Sequence, residues 1–204
     1  MTVIGLVGRI AAGKSTVARA FRDRGAVIID ADQIAHAVLA EPAVIGEVAD
    51  RFGAAVLDEA GQVSRPGLAR LVFGLTPSHE AALADLEAIV HPRIRERIEA
   101  GLAAAEGGPA ATPGGVVVLD VPLLMQSGWD RRCDRIVQVE CDEAIRQRRL
   151  DRRGWSADQR AARERAWQRN YRPPPPEKTV VVDASSDPSY TSLQVETVVA
   201  GLRD

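Results

Sequence analysis

The chain has few aromatic residues, few cysteines and no strong charge of either sign. Phe, Trp and Tyr make up 4% of its 204 residues, and the formal net charge at pH 7 is −2. Nucleic-acid-binding surfaces need positive charge and, for single strands, aromatic stacking, so the overall composition argues against that class. Cys133 and Cys141 lack metal-ligand spacing, and we expect reduced, structural thiols in a cytoplasmic protein.

Long apolar runs and internal repeats are also missing. The longest run, from Val116 to Met125, is interrupted by Asp120 and Pro122, whereas a membrane-spanning helix needs about 20 apolar residues. We therefore expect no membrane association, and we see no export signal before the first apolar strand pattern. No repeat with a period of roughly 20–50 residues is present, which excludes a solenoid. The length suits a single α/β domain with insertions.

Lysine is scarce, and one of the two lysines stands in a recognisable motif. Among 26 basic residues only Lys14 and Lys178 are lysines. Residues 8–15 fit G-x-x-x-x-G-K-[ST], the P-loop that wraps backbone N–H groups around nucleotide phosphates. A compact ammonium reaches between phosphate oxygens, whereas a planar guanidinium does not fit there. The expected nucleotide-binding residues are Gly8, Ala11, Ala12, Gly13, Lys14, Ser15 and Thr16, with the Ser15 hydroxyl on Mg²⁺.

The pattern around this motif predicts a P-loop NTPase fold. Apolar runs rich in Val and Ile, without strict alternation, are typical of parallel strands covered on both faces. Helical patterns separate these runs, which favours a three-layer α/β fold with a five-stranded parallel sheet. The predicted strands are 3–7, 26–29, 115–121, 135–140 and 179–183.

Two stretches depart from simple alternation. Residues 33–107 contain five helical patterns (33–40, 43–51, 66–73, 79–87, 92–105) and predict a helical insertion, connected to the third strand through residues 107–115.

We assign the nucleotide-binding core to 1–32, 108–142 and 177–204, and an arginine-rich lid to 143–176. Residues 131–172 hold thirteen arginines against seven acidic residues. We expect the lid to close on ATP phosphates, and a solvated, salt-bridged helix pair is the alternative.

A helix over 143–153 would divide its arginines between two faces. Arg148 and Arg152 would share one face at i,i+4, and Arg146, Arg149 and Arg153 would share another. So many adjacent guanidinium groups repel one another unless anions neutralise them, which favours the lid interpretation.

Three carboxylates follow predicted strands, where the ligand crevice of a parallel sheet lies. Asp30 and Asp32 follow the second strand, and one of them can accept a proton from an attacking hydroxyl. Asp32 also suits a helix cap. Asp120 ends the third strand like a Walker B carboxylate and is expected to support Mg²⁺ near Ser15, although a turn role before Pro122 is the alternative. His91 precedes Pro92 at the start of a predicted helix, where a packing or capping role is equally compatible.

Four motifs in order make the chain resemble the dephospho-CoA kinase family, which phosphorylates the ribose 3′-hydroxyl of dephospho-CoA with MgATP. The match spans roughly residues 2–168. The motifs are the P-loop segment 5–18, the D-A-D-x-I-A element 30–35, the L-E-x-I-x-H-P-x-I-R stretch 86–95 and the D-x-P-L-L strand end 120–124.

The resemblance implies particular roles for residues of this chain. It makes Asp32 the general base and places Arg148 and Arg152 near the phosphates, Arg148 in catalysis and Arg152 in ATP binding. The helical insertion, with Arg65 and His91, corresponds to the region that holds the acceptor. We further expect a monomer or small homo-oligomer with no nucleic-acid partner.

Several positions depart from the family pattern. Arg9 follows Gly8 where the family usually has glycine, and alanine at positions 11 and 12 leads us to expect negative φ at both. Gln126 stands where the family commonly has a carboxylate near the acceptor, and Ser64 replaces an aspartate before Arg65. Ala184 replaces an asparagine, and the other departures cluster in the C-terminal quarter.

Other functions compete with this assignment. One is a P-loop kinase acting on another small hydroxyl such as a nucleoside or nucleotide, and another is a relative that binds nucleotide without catalysis. A GTP switch would need an N-K-x-D motif, and asparagine precedes neither lysine. A nucleic-acid-binding protein would use the arginines of 131–172, but few aromatic residues accompany them.

Overall fold

The computed structural model describes residues 1–74, 76–108, 115–155 and 157–202. Most of the predicted connection 107–115 lies outside the described residues. The strands are β1 (Thr2–Gly8), β2 (Val27–Asp30), β3 (Val116–Asp120), β4 (Arg135–Glu140) and β5 (Thr179–Asp183). The helices are α1 (Lys14–Arg22), α2 (Ala31–Leu39), α3 (Pro42–Phe52), α4 (Arg65–Val72), α5 (Pro77–Glu106), α6 (Glu143–Asp151), α7 (Ala157–Asn170) and α8 (Pro188–Ala200).

The five strands form one parallel sheet in the order β2-β3-β1-β4-β5. The predicted five-stranded parallel sheet is thereby confirmed, with the bounds of each strand within one residue of those expected. Because every strand runs the same way, all carboxyl ends lie along one edge of the sheet. The P-loop leaves the central strand β1 at that edge, where α/β proteins bind their ligands.

The chain divides into two compact units, and the sheet belongs to the first, Met1–Asp30 with Leu102–Asp204. Its core is built from β-branched strand residues and from the apolar face of α1. Fully buried side chains include Ile4, Leu6, Val17, Phe21 and Ile136. Helix α8 packs against α1, and Arg24 joins them by donating to the Ser192 hydroxyl at 2.9 Å. The helix that follows the P-loop is therefore packed firmly into the core of this unit.

The regular elements described in the second unit, Ala31–Gly101, are helices, apart from one isolated antiparallel bridge between Leu57 and Val63. Its core consists of Val38, Val44, Val48, Val56, Leu68, Val72 and Val90. Ion pairs join its helices, for example Arg93 on α5 to Glu47 on α3 at 2.6 Å.

Helix α5 differs from the sequence expectation. Two helices, 79–87 and 92–105, are predicted, whereas α5 runs unbroken through Pro92. Proline removes one backbone hydrogen bond from a helix interior. The bond lost at Pro92 is the one to the Ala88 carbonyl, but Val90 and Ile98, on either side of the proline, are buried. Packing thus outweighs the local disruption, and His91 lies in mid-helix rather than at a helix start.

No described helix combines the length and apolar character that crossing a bilayer requires.

Candidate active site

The P-loop, residues 8–15, enters α1 through a glycine that no other residue could replace easily. Gly13 has φ 113° and precedes Lys14, the first residue of α1. A Cβ at this position would lie 3.0 Å from the Ala184 Cβ and 3.0 Å from an Arg149 nitrogen. Both the left-handed backbone and the close neighbours therefore require glycine.

Ala11 adopts a conformation that its local sequence does not predict. Its φ is 63°, so the expectation of a negative φ at this position is wrong. A left-handed backbone disfavours a residue with a Cβ by roughly 1–2 kcal/mol. Such a conformation persists when surrounding contacts hold it in place.

Those contacts come from two arginines of α6. Arg146 donates to the Ile10 carbonyl at 3.3 Å. Arg149 donates to the Ala12 carbonyl at 2.9 Å and more weakly to the Ala11 carbonyl at 3.5 Å. Three successive P-loop carbonyls therefore face α6 and accept from its guanidinium groups.

This arrangement orients the opposite groups of the same peptide units. In a trans peptide the C=O and N–H bonds point in opposite directions. Since the Ile10 and Ala12 carbonyls face α6, the N–H groups of Ala11 and Gly13 point away from it. Together with the N-terminus of α1, these N–H groups suit an anion.

A cavity of about 420 Å³ adjoins the P-loop within the first unit. Gly8, Ile10 and Lys14 line one side, and the segment 121–126 after β3 lines another. The remaining wall comes from the predicted lid and combines aromatic and cationic side chains, namely Arg153, Trp155, Arg163, Trp167, Tyr171 and Arg172.

Two aromatic side chains of this wall contact each other, and the third lies between two arginines. Trp167 and Tyr171 have ring centroids 4.6 Å apart. The guanidinium carbons of Arg163 and Arg153 lie 4.3 Å and 5.1 Å from the Trp155 ring centroid. Aromatic rings stack with planar bases, and arginine guanidinium groups bind phosphates. The cavity therefore suits a nucleotide-like ligand next to Lys14.

The other predicted residues of the first unit lie at the carboxyl edge of the sheet. Asp30 and Asp120 are direct register partners on β2 and β3. Ser15 is exposed in the first turn of α1. Two carboxylates and a hydroxyl are oxygen donors of the kind that Mg²⁺ prefers.

Arg148 and Arg152 are exposed, on α6 and directly after it. Among the described residues, neither lines the cavity beside Lys14, whereas Arg153 and Arg163 do. The other predicted face of α6, with Arg146 and Arg149, contacts the P-loop. The i,i+3 spacing of Arg146 and Arg149 is visible in the sequence, but the P-loop carbonyls that they contact cannot be read from it.

Three predicted residues belong to the second unit. Asp32 is the exposed second residue of α2, directly after the end of β2. Arg65 is exposed at the start of α4, and His91 is exposed on α5. Ser64 caps α4 by accepting from the Gly67 N–H at 3.2 Å. Serine and aspartate are both favoured caps, so Ser64 keeps this function of the aspartate it replaces.

Comparison with known proteins supports the assignment made from sequence motifs. The sequence profile of the dephospho-CoA kinase family matches residues 2–172. A dephospho-CoA kinase of Rhodopirellula baltica is 38% identical over 170 residues, covering 82% of this chain and 77% of that protein. The corresponding protein of Corynebacterium diphtheriae is 44% identical over 159 residues, covering 76% and 74%.

Two solved structures have a similar fold. The crystal structure of TT1252 from Thermus thermophilus superposes with a TM-score of 0.73 at 31% identity, covering 98% of this chain and 97% of that one. A dephospho-CoA kinase from Campylobacter jejuni shares the fold, with a TM-score of 0.62 at 19% identity and coverage of 98% and 97%. The resemblance inferred from the motifs is confirmed: this chain belongs to the dephospho-CoA kinase family.

Proposed function

We propose that this protein transfers the γ-phosphoryl group of ATP to the ribose 3′-hydroxyl of dephospho-CoA, giving coenzyme A and ADP. The observation that carries this proposal is the P-loop itself. Its carbonyls are tied to α6, its Ala11 and Gly13 N–H groups point the other way, and Lys14 lines a nucleotide-sized cavity. Family membership supplies the acceptor.

The P-loop supplies the hydrogen-bond donors and the positive charge that phosphoryl transfer requires. The loop N–H groups and Lys14 bind the β- and γ-phosphates, and they stabilise the negative charge that develops on the transferring group. The binding set is Gly8, Ala11, Ala12, Gly13, Lys14, Ser15 and Thr16. Lys14 is half-buried, so its ammonium is partly shielded from water and acts more strongly on a phosphate.

Asp32 accepts the proton in this proposal. The 3′-oxygen forms a bond to the γ-phosphorus as the bond to the β–γ bridging oxygen breaks, and the hydroxyl proton moves to the Asp32 carboxylate. ADP leaves with the bridging oxygen. The support is positional, because Asp32 follows by two residues the strand end at Asp30, which is in register with Asp120.

Mg²⁺ is the metal that suits this donor set. No cluster of three or more His, Cys, Asp or Glu side chains suited to a metal occurs among the described residues. That is compatible with Mg²⁺, which keeps several waters and binds through few protein groups plus substrate phosphates. Ser15 and Asp120 would hold it, and when bound it would neutralise phosphate charge.

Four further residues complete the proposed site. We assign Arg148 to the transferring phosphoryl group and Arg152 to ATP, supported by their exposure on α6 and directly after it. Arg65 and His91 are assigned to the acceptor, supported by the family motifs in which they stand.

One observation favours testing other acceptors. Gln126, a neutral side chain, lines the cavity where the resemblance leads us to expect a carboxylate. A kinase for another small hydroxyl is therefore the second candidate.

The test is ADP release with MgATP and a panel containing dephospho-CoA, adenosine and AMP. We expect turnover with dephospho-CoA alone. Turnover with another member of the panel and none with dephospho-CoA would overturn the proposed acceptor. The Lys14→Ala variant serves as control and should lose both ATP affinity and turnover.

A further inference from the structure

The Arg9 side chain joins the P-loop to both lid helices. Its Nη1 donates to Glu143 of α6 at 3.0 Å, and its Nε donates to Glu164 of α7 at 3.0 Å. A second nitrogen, Nη2, also bonds to Glu164. The guanidinium carbon lies 5.6 Å from the centroid of the Trp167 ring. Arg9 thus contacts α7 through an ion pair, in which two guanidinium nitrogens share one carboxylate oxygen of Glu164, and through an aromatic face.

Arg9, Glu143, Arg146 and Glu164 form a charge-balanced cluster. Arg146 contacts Glu143 at 2.7 Å and Glu164 at 3.1 Å, so each carboxylate bonds to both arginines. The side chains of Arg146 and Glu164 are only 3% and 23% exposed. Partial burial strengthens such pairs relative to exposed ones, and a network fixes geometry better than an isolated pair.

The direction of Arg9 separates it from the phosphate-binding groups. Its neighbours Gly8 and Ile10 line the cavity that contains Lys14, but Arg9 does not line it in the part of the chain described. Arg9 instead lines a second cavity, of about 310 Å³, together with Trp167 and Tyr171. Its charge is directed at protein carboxylates rather than at the loop interior.

We propose that Arg9 is a positioning residue, which holds α7 against the P-loop through Glu164 and thereby fixes Trp167 in the wall of the active-site cavity. The role follows from the position of Trp167, which faces both cavities and lies three residues after Glu164 on the same helix. A wall fixed in advance reduces the ordering that substrate binding requires. It also keeps water away from the γ-phosphate.

The kinetic part of this inference rests on the proposed function. We expect Arg9→Ala to raise the KM for ATP or dephospho-CoA by ~5- to 20-fold while kcat changes less than ~3-fold, since the reacting groups remain. ADP release without acceptor should rise because the cavity is less closed to water. Arg9→Lys should be intermediate, because an ammonium lacks the planar set of nitrogens with which Arg9 contacts Glu143 and Glu164 together.

Glu164→Gln and the double variant test whether the pair acts as a unit. Arg9→Ala should add less to the KM in the Glu164→Gln background than in the wild type, as expected for coupled residues. Arg165→Ala is the matched control, because Arg165 is an exposed arginine next to Glu164 on α7. Wild-type KM values in Arg9→Ala, or fully additive effects, would overturn the proposal.

A second measurement does not depend on turnover. In a Trp129→Phe/Trp155→Phe background only Trp167 emits, since the chain has three tryptophans. Adding Arg9→Ala should shift its emission and increase acrylamide quenching, while Arg165→Ala should do neither. Circular dichroism checks folding. If buried Trp129 cannot be replaced, the Trp155→Phe background gives the same comparison.

The two measurements separate the two proposals. An unchanged Trp167 environment in Arg9→Ala overturns the positioning role whether or not the protein phosphorylates dephospho-CoA. A changed environment in a protein that forms no coenzyme A supports the positioning role and overturns the proposed function instead.

Discussion

The guanidinium of Arg149 lies 2.9 Å from the Ala12 carbonyl oxygen, a contact between residues 137 positions apart in the chain. The same side chain donates to the Ala184 carbonyl at 2.6 Å. One arginine of α6 thus joins the P-loop to the segment that follows β5. Hydrogen bonds from charged donors contribute about 1.5–3 kcal/mol each. This contact supports the left-handed Ala11 and orients the loop for an anion.

Arg149→Met should therefore weaken ATP binding by ~10-fold or more and lower the melting temperature, because the loop carbonyls lose their donor. Arg148→Met, on the exposed face of the same helix, should lower kcat and leave the melting temperature unchanged. Isothermal titration with a nonhydrolysable ATP analogue, with thermal melts, distinguishes the two. Wild-type analogue affinity in Arg149→Met would contradict the supporting role of Arg149.

Asp32→Asn should retain ATP binding and lower kcat by ~10² or more, as expected when a general base is removed. The change keeps the size of an exposed side chain, so folding should be unaffected. Steady-state kinetics with saturating MgATP measure the effect. A kcat equal to that of the wild type would remove Asp32 from the role of base.

The two thiols should differ sharply in reactivity. Burial, with the nearby Asp130 and Asp134 carboxylates, raises the pKa of Cys133 to about 12, and only the thiolate is nucleophilic. Cys141 is half-buried at the surface. At pH 8 a chromogenic disulfide reagent should label one thiol in the native protein and two in denaturant.

The variant Cys141→Ser provides the control for that experiment. It should show no native labelling, and its single thiol should react only after unfolding. Rapid native labelling of Cys133 would show that its side chain is not enclosed as described.

Stability at low pH should depend on Glu143. Hydrogen bonds from Arg146 first, and then Gln147, hold the pKa of this carboxyl at about 2, below its ordinary 4.5. A lowered folded-state pKa stabilises the protein above the unfolded pKa, and that contribution is lost as pH falls through the folded value. Glu143→Gln should be less stable than wild type at pH 7, and the difference should shrink from about pH 4.5 to pH 2. Urea unfolding across this range measures it, and a constant difference would contradict the assignment.

Most of the first unit could be predicted because its signals are local. Runs of Val and Ile, the glycine pattern of the P-loop and the strand ends at Asp30 and Asp120 each lie within a few residues. The five strands and their parallel arrangement follow from such patterns. Helix α5 was predicted less well, since Pro92 is a strong local breaker whose effect was outweighed by packing at Val90 and Ile98.

The parts of the site that sequence analysis missed depend on long-range contacts. The spacing of Arg146 and Arg149 shows that they share a helix face, but it does not show that this face meets the Ile10 and Ala12 carbonyls. The positive φ of Ala11 also depends on these long-range contacts, since the local sequence favours a negative φ there. Similarly, the arrangement of Trp167 over Arg9 requires the two lid helices to be in place.

The most direct test of the account is identification of the phosphorylated product. After incubation with MgATP and dephospho-CoA, mass spectrometry and ³¹P NMR should detect coenzyme A with its new phosphate on the ribose 3′-oxygen, formed in equal amount to ADP. The Lys14→Ala variant should form neither. ADP released without any phosphate on the acceptor, or phosphate at another hydroxyl, would contradict the central claim.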